Sequence, residues 1–490
     1  MLHYLKQQAN LTHTENGAAT YRSSGSACLD LFAAIGALRE AADADVVARF
    51  QNAWAENCDL ALRTLFFARD IRGGLGERKV FRTVLRHLAH TAPETVTKNL
   101  WAVAEFGRYD DLLLLLDSPL RADAAAYIKA QLDADLRALE DGDAVSLLAK
   151  WLPSVNAHNA DTLRHAKILA KALGMRETEY RRTLTRLRAG IPILENKLRE
   201  RDYSFAYEAQ PSRAIMKYRR AFLRHDGERY RRFLCRVANG ESIMHTGTLY
   251  PYDIIRPALH NYMTGDMSEA ERRSLNVTWN AQEDFTRGEN ALAVIDGSGS
   301  MYGGFGNPLP AEVALSLGVY FAERCKGAFA GHFITFSSEP QLVEIQGKDI
   351  FEKIRHCAKF DEVANTNIEA VFALILSTAV QHELPQSELP ATLYIISDME
   401  FDECTENAEC TNFAAAKSAF AKQGYQLPNI VFWNVDSRSE QQPVAQNEQG
   451  AILVSGASPQ IFAMVQSGNL TPAAFMLDTL NRERYAKIQA

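Results

Sequence analysis

The sequence predicts a protein of two parts, an N-terminal all-α region followed by a C-terminal α/β domain with a doubly wound, mostly parallel sheet. Over about residues 28–240, apolar residues recur three and four positions apart, the spacing of helices that bury one face. After about residue 287, short runs rich in Val, Ile, Phe and Tyr alternate with helical stretches, which is typical of βαβ units. Net charge separates the same parts: residues 1–290 carry 41 basic and 37 acidic residues, and residues 291–490 carry 12 and 23.

The N-terminal region is predicted to contain many helices of about 12 residues, in segments such as "DVVARFQNAWAENCDLALRTLFFARD" and "RKVFRTVLRHLAH". Short breaks such as "RGGLGE" and "TAPET" separate them. This pattern favours stacked helical pairs of the HEAT type, which could curve into a ring. No regular repeat period is visible in the sequence. We expect an N-terminal arm at 1–27, a helical-repeat domain at 28–285 and an α/β domain at 286–490.

Five apolar runs of the C-terminal part predict strands that are buried on both faces of a sheet. They are "ALAVID", "GHFITFSS", "TLYIISDME", "NIVFWNVD" and "AILVSG". Helical stretches separate them, and two helices are expected after the last strand. In such a sheet, functional loops lie beyond the carboxyl ends of the strands.

Composition and sequence pattern indicate the expected cellular compartment. No run of about 18 apolar residues occurs, and the N-terminus lacks the pattern of a secretory signal, so we expect a cytoplasmic protein without a membrane segment. The seven cysteines form no CxxC pair, which favours free thiols in a reducing compartment. Cys404 and Cys410 could form a redox pair, but two unpaired thiols are the favoured interpretation.

The stretch "NALAVIDGSGSMYGG" indicates a metal site. Asp296 ends an apolar strand, and the glycines at 297 and 299 allow a sharp turn. The carboxylate of Asp296 and the hydroxyls of Ser298 and Ser300 can then converge. All three are hard oxygen donors, which suit Mg²⁺ or Mn²⁺ rather than zinc, and sometimes Ca²⁺.

Two further residues stand where they can complete this site. Asp398 follows another buried strand, and the carboxyl ends of parallel strands meet at one edge of a sheet. Thr366 lies on a loop just before a helix. A divalent cation would relieve the repulsion between two carboxylates in one cleft. The alternative is that "DGSGS" is only a flexible turn.

This combination resembles the metal-ion-dependent adhesion site of von Willebrand factor A domains, over roughly residues 288–490. The resemblance implies that Asp296, Ser298, Ser300, Thr366 and Asp398 hold the ion directly or through water. It also implies a binding module that leaves one metal position open for an acidic group of a partner. The segment "VANTN" lacks the glycines that many members have before the threonine.

The segments "FFARDIRGGLGERKVFR" and "FGRYDDLLLL" resemble the helical repeats of TROVE proteins, the Ro autoantigen family, in which a helical ring precedes a von Willebrand A domain. The segments "PSRAIMKYRRAFLRHDGERYRRFL" and "GTLYPYDI" are similar to a poorly characterised family with a TROVE-like N-terminal region, which is the closer match. The resemblance to TROVE proteins implies binding of small structured or misfolded RNA on a basic surface.

A basic run between residues 213 and 232 is the main candidate for that surface. Its cations could contact phosphate, and the aromatic residues among them could stack on bases. The alternative is an amphipathic helix with buried aromatics and arginines that pair within the protein. The basic candidates are Arg213, Lys217, Arg219, Arg220, Arg224, Arg229, Arg231 and Arg232.

The glycine-rich break "RGGLGE" supplies a smaller set of candidates, Arg72, Arg78 and Lys79. Its glycines could cradle a phosphate, but a simple helix break is the favoured interpretation. The arginines around it could instead pair with Asp70 and Glu77 at helical spacing.

These observations favour a non-enzymatic protein. No zinc-protease, nucleophile-elbow, P-loop or dinucleotide motif occurs in a suitable context, and no general base accompanies Asp296 and Asp398. The leading hypothesis is RNA binding in the manner of TROVE proteins, with a metal domain that recruits a protein or closes the ring. The alternative is a metal-dependent adaptor that captures an acidic residue of a protein such as an AAA+ ATPase and has no RNA role.

Overall fold

The computed structural model describes residues 1, 9–261, 267–286, 288–303, 306–337, 339–360, 366–403, 410–465 and 471–490. In these ranges the chain is an N-terminal helical region followed by a mostly parallel α/β sheet, as the sequence predicts. The strands are β1 Leu11–His13, β2 Ala19–Tyr21, β3 Ala291–Asp296, β4 His332–Phe336, β5 Leu342–Glu344, β6 Thr392–Ser397, β7 Asn429–Asn434 and β8 Ala451–Ser455.

The helices that precede β3 include the predicted N-terminal set. They are α1 Ala27–Ala34, α2 Asp43–Glu56, α3 Cys58–Arg69, α4 Lys79–Thr91, α5 Pro93–Lys98, α6 Leu100–Ala102, α7 Arg121–Asp141, α8 Leu148–Trp151, α9 Ala160–Ala172, α10 Glu177–Ala189, α11 Leu194–Arg199, α12 Ser212–His225, α13 Gly227–Ala238, α14 Pro251–Asn261 and α15 Glu269–Asn280.

The remaining helices lie between and after the strands of the large sheet. They are α16 Pro310–Arg324, α17 Ile350–Cys357, α18 Ile368–Gln381, α19 Asn412–Lys422, α20 Gln460–Val465 and α21 Pro472–Leu480. Among the described residues, no helix combines the length and apolar character needed to cross a bilayer. Cys404, one of the two cysteines considered as a redox pair, lies outside the described residues.

The large sheet has the strand order β5-β4-β3-β6-β7-β8. All neighbouring strands are parallel except β4 and β5. Every residue of β3, β6 and β8 is buried, which explains why these strands are continuous apolar runs in the sequence. The chain leaves β3 towards β4 on one side and returns as β6 on the other, so a topological switch point lies between β3 and β6.

Two structural elements lack a strong apolar signal and were not predicted. Strand β5 has only three residues, with its middle residue alone buried. Strands β1 and β2 form an antiparallel hairpin within the segment that the sequence indicated only as an arm. The turn of this hairpin contains Asn16 and Gly17, a pair of residues that is typical of hairpins.

Contacts divide the chain into two compact units that cut across the boundaries at 27/28 and 285/286 drawn from the sequence. The first, here called the sheet unit, comprises residues 1–42, 51–57 and 206–482. The second, the helical unit, comprises residues 43–50, 58–205 and 483–490. Helices α12–α15 belong to the sheet unit because α14 packs on α16 and α17. Helix α15 contacts α14 and α17 and also packs against α12 and α13.

The core of the helical unit combines aromatic rings with a buried ion pair. The ring of Phe106 lies 5.8 Å from that of Phe66 and 5.6 Å from that of Tyr485. Beside these rings, Nη2 of Arg69 lies 2.8 Å from Oδ2 of buried Asp111. Burial alone would raise the pKa of Asp111, but the charges of Arg69 and Arg82 outweigh burial and hold this pKa below its usual value.

Gly36 sets how closely the turn after α1 approaches β8 in the sheet unit. A Cβ atom on Gly36 would lie 2.6 Å from the carbonyl oxygen of Ser455. We therefore expect Gly36→Ala to lower the free energy of unfolding by about 1–3 kcal/mol, because rigid backbone must move. Urea unfolding measures this change. Gly247→Ala is the control, since its Cβ would meet no atom within 4 Å; equal losses in both variants would contradict the expectation.

Candidate functional site

The predicted metal residues lie at the edge where β3 and β6 end. These strands are parallel neighbours, with Ile295 paired in register with Ile396. Asp296 is the last residue of β3, and Asp398 follows β6 directly. Their side chains are 1% and 2% exposed. The structure thus brings the two carboxylates into one buried region, here called the metal edge.

The loop after β3 turns two hydroxyls towards each other. Oγ of Ser298 lies 2.9 Å from Oγ of Ser300, and the backbone N–H of Ser298 donates to Oδ1 of Asp296 at 2.8 Å. The hydroxyl of Ser397 donates to Oδ2 of Asp296 at 2.5 Å. The sequence analysis did not single out Ser397, although its position at the end of β6 places it beside Asp398.

Burial and the nearby Asp398 both disfavour the charged form of Asp296. Burial, followed by the charge of Asp398, raises the pKa of Asp296 to about 7. The hydrogen bonds from Ser397 and Ser298 act in the opposite direction but do not outweigh burial. A buried carboxylate in this condition is stabilised by a nearby positive charge.

Thr366 lies just before α18 and is hydrogen-bonded to the loop that follows β6. Its side chain is 2% exposed, and Asn367, the N-cap of α18, fixes the helix start by accepting a hydrogen bond from the N–H of Ala370. The carbonyl of Thr366 accepts a hydrogen bond from the N–H of Asp402 at 2.9 Å. The residues "VAN" of the predicted "VANTN" loop lie outside the described residues.

The chemistry of this donor set fits a hard divalent cation. The set combines two carboxylates with the hydroxyls of Ser298, Ser300 and Thr366, all oxygen donors. In the part of the chain that the structure describes, no group of three or more His, Cys, Asp or Glu side chains is placed to hold a metal. Oxygen donors favour Mg²⁺, Mn²⁺ or Ca²⁺ over zinc.

A cation of the chain itself already contacts the metal edge. Nη2 of Arg438, on the loop after β7, donates to Oδ2 of Asp398 at 2.8 Å. Nη1 of the same guanidinium lies 3.1 Å from Oε2 of Glu15. Nearby, burial raises the pKa of Asp436 to about 6; Arg438 lowers this pKa and Asp398 raises it. No signal in the sequence pointed to Arg438, since it lies 40 residues from Asp398.

The turn of the β1–β2 hairpin, residues 14–17, packs on the loops of the metal edge. The hydroxyl of Thr14 donates to the carbonyl of Phe401 at 2.6 Å, and the N–H of Glu15 donates to Oε2 of Glu400 at 2.8 Å. Nδ2 of Asn16 donates to the carbonyl of Glu400 at 2.7 Å and to Oγ1 of Thr366 at 3.1 Å. The N-terminal segment is therefore part of this site.

The aromatic residues of the basic run are mostly core residues. Phe222, Tyr230 and Phe233 are buried, and the ring of Tyr207 lies 5.1, 5.0 and 5.4 Å from theirs, respectively. The core interpretation is confirmed for these three residues, which are not free to stack on bases. Tyr218 is half-buried.

Half of the predicted basic candidates on α12 and α13 form ion pairs within the sheet unit. The pairs are Arg213 with Asp253, Arg220 with Glu271, Arg229 with Asp226 and Arg232 with Glu228. Arg224 and Arg231 are exposed, and no acid among the described residues pairs with either. Nη1 of Arg219 donates to the carbonyl of Met216 at 2.7 Å. The ammonium of Lys217 lies 4.8 Å from the ring centre of Tyr218.

The glycine-rich break between α3 and α4 is closely packed inside the helical unit. A Cβ on Gly74 would lie 2.0 Å from the carbonyl oxygen of Phe67. Asp70 pairs with Arg484 and accepts a hydrogen bond from the hydroxyl of Tyr485 at 3.0 Å. Residues distant in the sequence, rather than the neighbours that helical spacing suggested, form these ion pairs: Arg484 pairs with Asp70, and Asp111 pairs with Arg69.

The three basic candidates at this break differ in their surroundings. Nη2 of Arg78 lies 2.6 Å from Oδ2 of Asp110. Arg72 is 71% exposed, and its Nη1 lies 3.9 Å from Glu105. Lys79 is exposed at the first position of α4.

The raised pKa of Asp296 predicts a pH dependence of stability without metal. Because the folded protein binds this proton more tightly than the unfolded chain, stability should fall as the pH rises towards about 7 and then level off. The half-buried Asp436 contributes in the same direction. Melting temperatures in chelator measure the fall. Asp296→Asn should reduce it, and an unchanged fall in that variant would contradict the assignment.

Comparison with known proteins shows to which family the chain belongs. The family described as "Domain of unknown function (DUF2828)" matches residues 14–125 and 120–284, and "Domain of unknown function (DUF7788)" matches residues 290–475. The "Uncharacterized protein L728" of Acanthamoeba polyphaga mimivirus is 27% identical over 510 residues, covering 96% of this chain and 87% of that protein. The crystal structure of the Deinococcus radiodurans RO (RSR) protein aligns with a TM-score of 0.35 and 13% identity, over 92% of this chain and 93% of that one. The chain belongs to the DUF2828 family.

Proposed function

We propose that this protein is a non-enzymatic binding protein that holds a divalent cation, preferably Mg²⁺, at the metal edge. The bound cation would serve to bind an acidic side chain of a partner protein. The observation that supports this most is the burial of Asp296 and Asp398 at the ends of the parallel neighbours β3 and β6, with Ser298 and Ser300 on the loop after β3. Ligands of open α/β sheets bind beyond the carboxyl ends of strands at a topological switch point.

Each residue has a distinct part in this proposal. Asp296 and the hydroxyls of Ser298 and Ser300 supply oxygens from one loop, and Asp398 and Thr366 supply them from two others. The bound cation would offer a positive site to a carboxylate. Arg438 offsets the charge of Asp398 in the structure described above, and must share or release that carboxylate when a cation binds.

Cation binding should stabilise the fold. At a Mg²⁺ concentration about 100-fold above its dissociation constant, the free energy of unfolding should rise by about 2.7 kcal/mol. Asp398→Asn should abolish this gain, because it removes a charged ligand while keeping the size of the side chain. Denaturant unfolding with Mg²⁺ and with chelator measures the gain.

The control for that measurement is Asp141→Ala, at the exposed C-terminal end of α7, which should keep the full gain. Partner capture by the full chain should likewise require Mg²⁺ and be lost in Asp398→Asn. A partner that binds equally well in chelator would contradict the proposal.

The second candidate function is binding of small structured RNA on α12 and α13. The exposed cations there favour it, notably Arg224 and Arg231, which no described acid neutralises. In that case phosphate contacts, rather than stacking, would supply most of the affinity, because three of the aromatic residues are buried. The metal edge would then recruit a protein to the RNA-bound chain.

RNA binding should weaken steeply with salt. Replacing Lys217, Arg224 and Arg231 with alanine should lower the slope of log affinity against log salt by about 2–3, since each lost phosphate contact removes about one unit. A titration of labelled RNA at several salt concentrations gives this slope. The matched control replaces Arg181, Arg182 and Arg186 of α10; an equal loss there would place the RNA elsewhere.

A further inference from the structure

A cavity in the sheet unit lies between α12 and α14 and has a volume of about 580 Å³. Five cations line it: Arg213, Lys217, Arg219 and Arg220 from α12, and Arg256 from α14. Volumes of about 300–1,000 Å³ are typical of sites for small ligands. The sequence analysis noticed the charge of α12 but had no means of joining it to Arg256.

The acids around the cavity do not balance these cations. Asp253 lines the cavity and lies 3.3 Å from Nη2 of Arg213. Glu271 pairs with Arg220. Glu312 lies 3.0 Å from Nε of Arg256, and it also contacts His260. Among the described residues, five cations thus face three acids, which leaves a concave surface with a positive surplus.

Arg219 is the cation whose hydrogen bonding is least complete. Its Nε is buried and has no hydrogen-bond partner among the described residues. Burial, followed by the neighbouring charge of Arg220, lowers the pKa of the Arg219 guanidinium. An anion in the cavity would supply both an acceptor and a compensating charge.

The remaining wall is apolar. Met216, Leu249 and Pro257 line the same cavity, and Leu249 and Met216 are buried. A site with several cations on one part of the wall and hydrocarbon on another suits a ligand with an anionic head and a flat, less polar body. Guanidinium groups match phosphate oxygens well because their N–H donors are arranged as a rigid fork.

We propose that the cavity between α12 and α14 binds a nucleoside phosphate monoester, with the phosphate held by Lys217, Arg219 and Arg220. Two sources present this chemistry, a free mononucleotide and the 5′-phosphorylated end of an RNA strand. The proposal stands apart from the metal edge, which needs a cation and a carboxylate. It also differs from RNA binding by the exposed cations of α12 and α13, which would not distinguish strand ends.

The test uses the full chain and three probes: AMP, and one RNA oligonucleotide with either a 5′-phosphate or a 5′-hydroxyl. Binding is measured by calorimetry for AMP and by anisotropy for the oligonucleotides. We expect the phosphorylated strand to bind about tenfold more tightly than its hydroxyl form, which corresponds to one charge-assisted contact. Competition by AMP would identify the free nucleotide as a ligand of this site, and preference for the strand without AMP binding would identify the RNA end.

Variants assign the effect to the cavity. Lys217→Glu and Lys217→Gln should each reduce binding of the phosphorylated probe about tenfold or more. Arg181→Glu is the matched control, because it is an exposed arginine on α10 that does not line the cavity. Equal affinity for the two strands with no binding of AMP, or unchanged binding in both Lys217 variants, would overturn the proposal. Asp398→Asn should leave phosphate binding intact, which separates this result from the test of the metal edge.

Discussion

The repulsion between two buried carboxylates, Asp296 and Asp398, is the constraint on which the arrangement of the site depends. The parallel pairing of β3 and β6 forces these side chains to the same edge of the sheet. Their surroundings then supply hydrogen bonds from Ser298 and Ser397 and a guanidinium from Arg438. A protein that keeps such a pair away from water needs a positive charge between or beside them. A bound divalent cation would meet that need most directly, and Arg438 meets it in part.

The same constraint explains why the N-terminal hairpin belongs to the sheet unit. Glu15 lies beside Arg438, and Asn16 bridges the loops that carry Thr366 and Glu400. The hairpin therefore closes a network that begins at Asp398. In the same unit, α12 is positively charged, since its cations outnumber the acids near the cavity. One compact unit thus contains an acidic region, which we propose binds a divalent cation, and a basic cavity, which we propose binds phosphate.

The elements that the sequence predicted well are those with a strong local signal. Strands β3 and β6 are continuous apolar runs because both of their faces are buried, and the burial of Tyr230 and Phe233 agrees with the amphipathic-helix alternative for the basic run. Asp398 could be proposed because parallel topology brings strand ends together. In contrast, the contact of Arg438 with Glu15 joins residues that are more than 400 positions apart, and no local pattern carries such information. The cavity depends in the same way on the packing of α12 against α14.

A titration of the full chain with Mn²⁺, in which electron paramagnetic resonance reports the unbound ion, tests directly whether the metal edge holds a divalent cation. We expect one Mn²⁺ bound per chain, displaced by excess Mg²⁺ and lost in Asp398→Asn. Undiminished binding in that variant, or no binding by the wild-type chain at millimolar Mn²⁺, would contradict the assignment of the metal edge.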